Sequence, residues 1–185
     1  MVRLIVLDWE ELYWDVFELA KKIKRSGFKP DVLVAIARGG WVIGRILSDL
    51  LEVPDVAGLT IKFYTGVDET KTKPEIVQPL VQDVNMKKVL LVDDIVDTGE
   101  TLKLALEHVK ERGAREVKSA APYIKKWSPI TPDYYVRVMD GWVVFPYEYT
   151  ETIKALEEKI ESIDELKKMG LREEIVDKIK EFRNH

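Results

Sequence analysis

The chain contains no cysteine and, among its 185 residues, only two histidines, His108 and His185. The lack of cysteine excludes disulfide scaffolds, thiolate zinc sites and cysteine nucleophiles together. Two histidines leave little room for imidazole-based metal or acid–base sites. No apolar run approaches the ~18–20 residues of a membrane span. The apolar stretch from Met1 to Trp9 is cut by Asp8 and followed by acids, unlike a signal peptide. Neither sign of charge dominates: 29 Lys and Arg against 33 Asp and Glu give a net charge of −4. That balance argues against a nucleic-acid or membrane-surface partner. Repeats and low-complexity segments are also missing. What remains is a globular composition, 46% apolar, with enough Val, Ile, Leu and aromatic residues for a core. The length is that of one domain, and a soluble, cytoplasmic protein is expected.

Hydrophobic periodicity organises the chain. Arg3–Leu7 reads as a short strand and Asp8 as a helix cap, with Glu11 reaching back and Leu12, Val16, Leu19 and Ile23 forming one helical face that Gly27 closes. Asp31–Ala37 is a continuous apolar run, too short for a helix, and reads as a buried parallel strand. Arg38-Gly39-Gly40 turns into a helix through Val42, Ile43, Ile46, Leu47, Leu50 and Leu51. The unit recurs: Lys88–Val92 is a second buried strand, a polar loop follows, and a helix through Leu102, Leu106 and Val109 ends at Gly113. Val117–Tyr123 is a third strand. Such alternation predicts an α/β fold with an open, mostly parallel sheet flanked by helices. Ligands of such sheets sit beyond the carboxyl ends of the strands, where the Arg38 and Asp93 loops lie. Thr65–Lys73 is expected as a mobile loop, and Tyr134–Val138 and Trp142–Phe145 as short strand-like pieces. From residue 150 onward, Ile153, Leu156, Ile160, Ile163 and Leu166, then Ile175, Ile179 and Phe182, predict a C-terminal helical hairpin broken at Gly170.

The segment Val92-Asp93-Asp94-Ile95-Val96-Asp97-Thr98-Gly99-Glu100-Thr101-Leu102 carries the chemistry. A buried strand delivers two adjacent carboxylates, suited to holding a diol by bidentate hydrogen bonds. A tight turn of small and hydroxylic residues then opens a helix, so the amides from Val96 to Thr101 converge with the Thr98 and Thr101 hydroxyls on one spot. That is a phosphate cradle. Diol holder and cradle together fit a ribose 5-phosphate. A nucleoside-triphosphate loop wants a second glycine and a lysine where Glu100 stands, and a dinucleotide fingerprint wants three glycines where only Gly99 is present. A response-regulator receiver carries its acid pair after the first strand and a phosphoacceptor Asp later, neither of which occurs here.

Asp93–Leu102 closely resembles the phosphoribosyl-pyrophosphate signature of the type I phosphoribosyltransferases: hydrophobic strand, two acids, two apolar residues, Asp-Thr-Gly, any residue, Thr. The resemblance extends over about Asp31–Glu148 and is strongest to the purine-salvage branch acting on hypoxanthine, xanthine and guanine. It implies that Asp93 and Asp94 hold the ribose hydroxyls and that Val96, Asp97, Thr98, Gly99, Glu100 and Thr101 hold the 5-phosphate. It places Asp97 near N7 of the base as general acid/base, and Ala37, Arg38, Gly39 and Gly40 at the pyrophosphate, through a peptide that is often cis in the family. Tyr64 and Thr65 would begin a loop that closes over the site; Lys71 and Lys73 in it read as solvated. Lys125, in Tyr123-Ile124-Lys125-Lys126-Trp127, would donate to an exocyclic carbonyl. Trp142 would stack on the base from a small hood, and Val143 would offer its backbone.

The domain expected is residues 1–149, with a core of about 31–125 and a hood from the N-terminus and about 126–149; residues 150–185 form a helical extension. The resemblance implies a Mg²⁺-dependent transfer of phosphoribosyl from phosphoribosyl pyrophosphate to a purine base, 6-oxopurines favoured, with the metal held mainly by substrate and helped by Asp93 and Asp94. A homodimer or higher homo-oligomer is expected. Adenine as the base, or a non-catalytic sensor of phosphoribosyl pyrophosphate, are the alternatives. Trp41 and Trp127 are expected to serve packing, and His108 and His185 to be solvated.

Overall fold

The structure, a computed structural model, describes residues 3–65, 72–157, 166 and 168–183. The chain divides into two compact units, one Tyr13–Val138 and the other the segment up to Leu12 with the chain from Met139 onward.

Helix α1, Trp9–Arg25, starts where the sequence places it: Asp8 Oδ1 accepts the Glu11 N–H at 2.8 Å, satisfying one orphan amide of the first turn. Leu12, Val16, Leu19 and Ile23 are fully buried. Strand β2, Val32–Ala37, leads into α2, Gly39–Leu51. Strands β3, Val56–Thr65, and β4, Thr72–Gln78, follow, then β5, Lys88–Val92. A two-residue strand β6, Ile95–Val96, precedes α3, Glu100–Glu111. Strands β7, Glu116–Ala120, β8, Tyr123–Lys125, and β9, Arg137–Met139, come next.

Five strands form one sheet in the order β4-β3-β2-β5-β7, parallel throughout except that β4 runs antiparallel to β3. Its core joins Val34, Ile36, Leu59 and Leu91 to Leu102 and Val109 of α3. Each such side chain, once buried, contributes ~1.5–3 kcal/mol. Two features depart from the sequence expectation. The two ends of the expected loop Thr65–Lys73 belong to an antiparallel pair, in which Tyr64 lies opposite Lys73 and Thr65 opposite Thr72; residues 66–71, Lys71 among them, lie outside the described residues. Pro74 is tolerated in β4 because that strand is the sheet edge, where a missing N–H breaks no ladder. The expected strand Val117–Tyr123 is also split at Pro122. Its first part stays in the main sheet as β7, and β8 pairs in parallel with β6 in a second sheet, Ile95 opposite Tyr123 and Val96 opposite Ile124.

In the other unit, β1, Leu4–Val6, pairs in parallel with β10, Trp142–Val144, Leu4 opposite Trp142. Helices α4, Tyr149–Glu157, and α5, Glu173–Arg183, also belong to it. Ile153, Leu156, Leu166, Leu171 and Val176 make a core with Val144. The second apolar stripe is centred one position on from the expected one: Val176 is fully buried, Ile175 and Ile179 are half-buried, and Phe182 is 78% exposed. Ile160 and Ile163 of the first stripe, and His185, lie outside the described residues. No described helix is long and apolar enough to cross a membrane.

Candidate active site

The site grows from the register of two parallel neighbours. Ala35 of β2 lies opposite Val92 of β5, so the two chains leave the sheet side by side, one into Arg38-Gly39-Gly40 and the other into Asp93-Asp94. The Ala37–Arg38 peptide is cis, as the resemblance implies. Gly40 is a close-approach glycine: a methyl there would meet the Val92 carbonyl oxygen at 2.6 Å. Gly39 abuts the Asp94 carboxylate. The two loops that the sequence singles out therefore form one surface.

The acid pair is tied down by its own backbone. Asp93 Oδ1 accepts the Asp94 N–H at 3.0 Å, and Asp94 Oδ1 accepts the Ile95 N–H at 2.8 Å. Burial, and then the Asp94 charge beside it, push the Asp93 carboxyl well above the usual carboxylate range. A ligand that brings donors or positive charge to Asp93 would favour its ionised form.

Beyond the acids the chain lines an open pocket of about 460 Å³, solvent included, with Ile95, Val96, Asp97, Thr98, Gly99, Thr101 and Leu102 joining Asp93. Gly99 sits at the cap of α3 with φ +79°, and a methyl on it would run into Ile130 at 2.6 Å. Both facts require glycine there. Thr98 Oγ1 accepts the Glu100 N–H at 3.4 Å. The Glu100 residue itself does not line the pocket, unlike the other cradle residues expected. The geometry is a helix N-terminus behind a concave loop, which suits an anion. Phe63 of β3, 46% exposed, is a lining residue that sequence reasoning missed. Its signal was positional: it stands immediately before Tyr64, whose backbone is described as part of β3.

The register of β6 and β8 brings Asp97 and Lys125 together, since each follows a paired residue, Val96 and Ile124. Lys125 is 7% exposed; burial holds its ammonium below the ordinary lysine range, against an opposing pull from Asp97. Trp127 is no core residue. It is 55% exposed and donates its indole N–H to Asp97 Oδ1 at 2.7 Å, while Lys125 Nζ stands 5.2 Å from its ring centroid. Below this group β8 is anchored by fully buried Tyr123, whose hydroxyl donates to Asp15 Oδ2 at 2.6 Å, and Arg137 contacts the same carboxylate. Burial, with Asp15 adding to it, pushes the Tyr123 hydroxyl up. Trp41 does pack, its ring standing over Gly58. His108 is not merely solvated: its Nε2 accepts the Leu80 N–H at 3.2 Å. Trp142 and Val143 lie on β10 of the other unit, where Val143 is buried and Trp142 is half-buried against the Val144, Ile153 and Leu156 core.

With this geometry in view, comparison with known proteins is informative. The phosphoribosyl transferase domain family matches residues 4–152. Over 148 residues the chain is 28% identical to a xanthine-guanine phosphoribosyltransferase of Gluconobacter oxydans, covering 80% of this chain and 86% of that protein. The crystal structure of a purine phosphoribosyltransferase from Pyrococcus horikoshii superposes with a TM-score of 0.73 at 39% identity, over 78% of this chain and 94% of that one. A ribose-phosphate pyrophosphokinase of Haemophilus influenzae is 28% identical over 164 residues, but this chain spans only 48% of its length.

Proposed function

From the premise that this chain belongs to the phosphoribosyl transferase domain family, we propose that it transfers the 5-phosphoribosyl group of phosphoribosyl pyrophosphate to a purine base, with 6-oxopurines preferred. The observation that carries this reading is the meeting of the Arg38-Gly39-Gly40 turn with the Asp93-Asp94 pair at the mouth of the cradle. In this reading one loop takes the leaving pyrophosphate and the other the ribose between it and the 5-phosphate.

In this reading Asp93 and Asp94 accept the ribose 2′- and 3′-hydroxyls, and the amides from Val96 to Thr101 hold the 5-phosphate. N9 of the base forms the new bond to C1 of the ribose as the bond to pyrophosphate breaks. Asp97 takes the proton that N7 gives up. Lys125 donates to the exocyclic oxygen of a 6-oxopurine; an adenine amine would bring a donor against that donor, an opposition that buried sites punish. Tyr64 and Thr65 would help keep water from a cationic ribosyl centre.

The donor set fits magnesium in one way. Two adjacent carboxylates are present, and no described group of three or more His, Asp or Glu side chains could hold a metal. Asp93 and Asp94 are hard oxygen donors that would help hold a Mg²⁺ carried mainly by substrate. When bound, the metal supplies positive charge to the departing pyrophosphate.

The test is turnover of phosphoribosyl pyrophosphate with Mg²⁺ against adenine, hypoxanthine, guanine, xanthine, orotate and uracil. Nucleoside monophosphate from 6-oxopurines is the expected result. Product from adenine alone would overturn the base preference and the part given to Lys125. Tight binding of phosphoribosyl pyrophosphate with no turnover of any base would make the protein a sensor.

A further inference from the structure

We infer that Trp127 is a positioning residue for Asp97, and that it decides which carboxylate oxygen faces the base. The inference rests on the purine reading above. Asp97 is exposed, and an exposed carboxylate on a turn is free to rotate about χ1 and χ2. An acid that must receive a proton from one ring nitrogen gains little from being near if it points elsewhere. Here Oδ1 is engaged by the indole N–H at 2.7 Å, a short, charge-assisted bond. Two oxygens share the carboxylate, so occupying Oδ1 leaves Oδ2 for the substrate.

The indole does not hold this position by burial, being 55% exposed. What steadies it is the Lys125 ammonium, 5.2 Å from the ring centroid, within the range of a cation–π contact. Lys125 is itself 7% exposed and sits at the end of β8, two residues before Trp127. A chain of contacts thus runs from a buried ammonium through an exposed ring to the carboxylate. Lys125 and Asp97, which the purine reading assigns to different atoms of one base, are linked through a side chain that touches neither atom. Sequence reading assigns Trp127 to packing, and the structure gives it no core to pack in.

The experiment compares Trp127→Phe, which keeps the ring and removes the donor, with Trp127→His, which keeps a planar ring that donates. Expected for Trp127→Phe is a fall in kcat of about tenfold, with KM for phosphoribosyl pyrophosphate within twofold of the parent. Trp127→His should recover at least a third of the lost rate. A merely structural tryptophan would move kcat and KM together and would not distinguish the two replacements. Independently of turnover, the ¹⁵N-indole proton signal of Trp127 in the free protein should move upfield in Asp97→Ala as the hydrogen bond is lost. An indole signal that ignores Asp97→Ala, or Trp127→Phe with the parent's kcat, overturns the inference. Failure of the parent protein to turn over any purine overturns the purine reading instead, and the indole signal tells the two failures apart.

Discussion

A methyl group built on Gly39 would lie 1.7 Å from Asp94 Oδ2. The backbone of the turn after β2 is thus in contact with the carboxylate that follows β5, and the two loops share one set of positions. At Gly40 the obstacle is different, the backbone oxygen of Val92 at 2.6 Å. The two alanine substitutions should therefore fail in different ways. Gly39→Ala displaces the Asp94 side chain and with it the bond from the Ile95 N–H, so Tm should fall modestly while kcat/KM for phosphoribosyl pyrophosphate falls roughly 10- to 100-fold. Gly40→Ala pushes on the strand itself and should destabilise by ~1–3 kcal/mol. Thermal melts beside steady-state kinetics check the pair; equal losses of Tm in both would refute the distinction.

In the proposed function, Asp93 sets ligand binding against stability. Its carboxyl is raised by burial first and by Asp94 second. A raised acid stabilises the fold below its unfolded value, near 4, and loses that contribution as pH climbs through the folded value. At neutral pH the ionised form therefore weighs against folding. Asp93→Asn keeps an oxygen for the Asp94 N–H and removes the charge. It should raise Tm by roughly 2–4 °C, the shift that ~1 kcal/mol produces in a domain of this size. Hydrogen bonds to charged groups are worth ~1.5–3 kcal/mol each. KM for phosphoribosyl pyrophosphate should therefore rise by about one to two orders of magnitude. A lower Tm would show that the pair is not repulsive.

Asp97→Asn keeps the shape of the side chain and its acceptor oxygen for the Trp127 indole, and removes the carboxylate to which the proposed function gives the proton of the base. Acid–base groups contribute about 10²–10⁴ in rate. Expected is a loss of at least 100-fold in kcat with KM for the base within about threefold. Single-turnover measurements with hypoxanthine decide it, and an unchanged chemical step would remove Asp97 from the proton path.

His108 makes a pH prediction with a definite sign. Burial lowers its pKa, Arg112 pushes the same way, and Glu111 opposes. The neutral ring accepts the Leu80 N–H. Well above pH ~6.5 the ring is neutral both folded and unfolded, and its contribution is complete. As the pH falls through the lowered folded value, the unfolded chain takes the proton first and that contribution is lost. The urea midpoint should drop between pH 7.5 and pH 5.5 in the parent and drop less in His108→Gln. Parallel profiles in the two proteins would exclude His108 as the cause.

Much of this was legible in the residues. The apolar runs of β2 and β5 are continuous because both strands are covered on their two faces, and such runs announce themselves. Asp93–Leu102 is a dense signal because every position answers to one demand of the loop. What stayed hidden was set by tertiary pairing. The hairpin of β3 and β4 carries Lys62, Lys73, Pro74 and Glu75, residues that argue against a strand until β4 is known to be an edge. Pro122 divides β7 from β8, and nothing local says that the second piece changes sheets to meet β6. Trp127 follows from that change, because its contact with Asp97 exists only through the Ile95–Tyr123 and Val96–Ile124 register. A sequence shows that a tryptophan is present, not whose carboxylate it will meet.

The parallel pairing of β2 with β5 has a bearing on how the protein comes into being. The turn at Gly39 and the acids at Asp94 are remote along the chain, with α2 and the β3–β4 hairpin made between them. A growing polypeptide that has completed only the first turn holds half of a recognition surface and no affinity to go with it. Non-local closures of this kind are intrinsically slow, so ligand competence should arrive late and all at once. Under the proposed function, phosphoribosyl pyrophosphate would then act as a ratchet on maturation, retaining molecules whose sheet has closed and leaving unfinished ones without that reward.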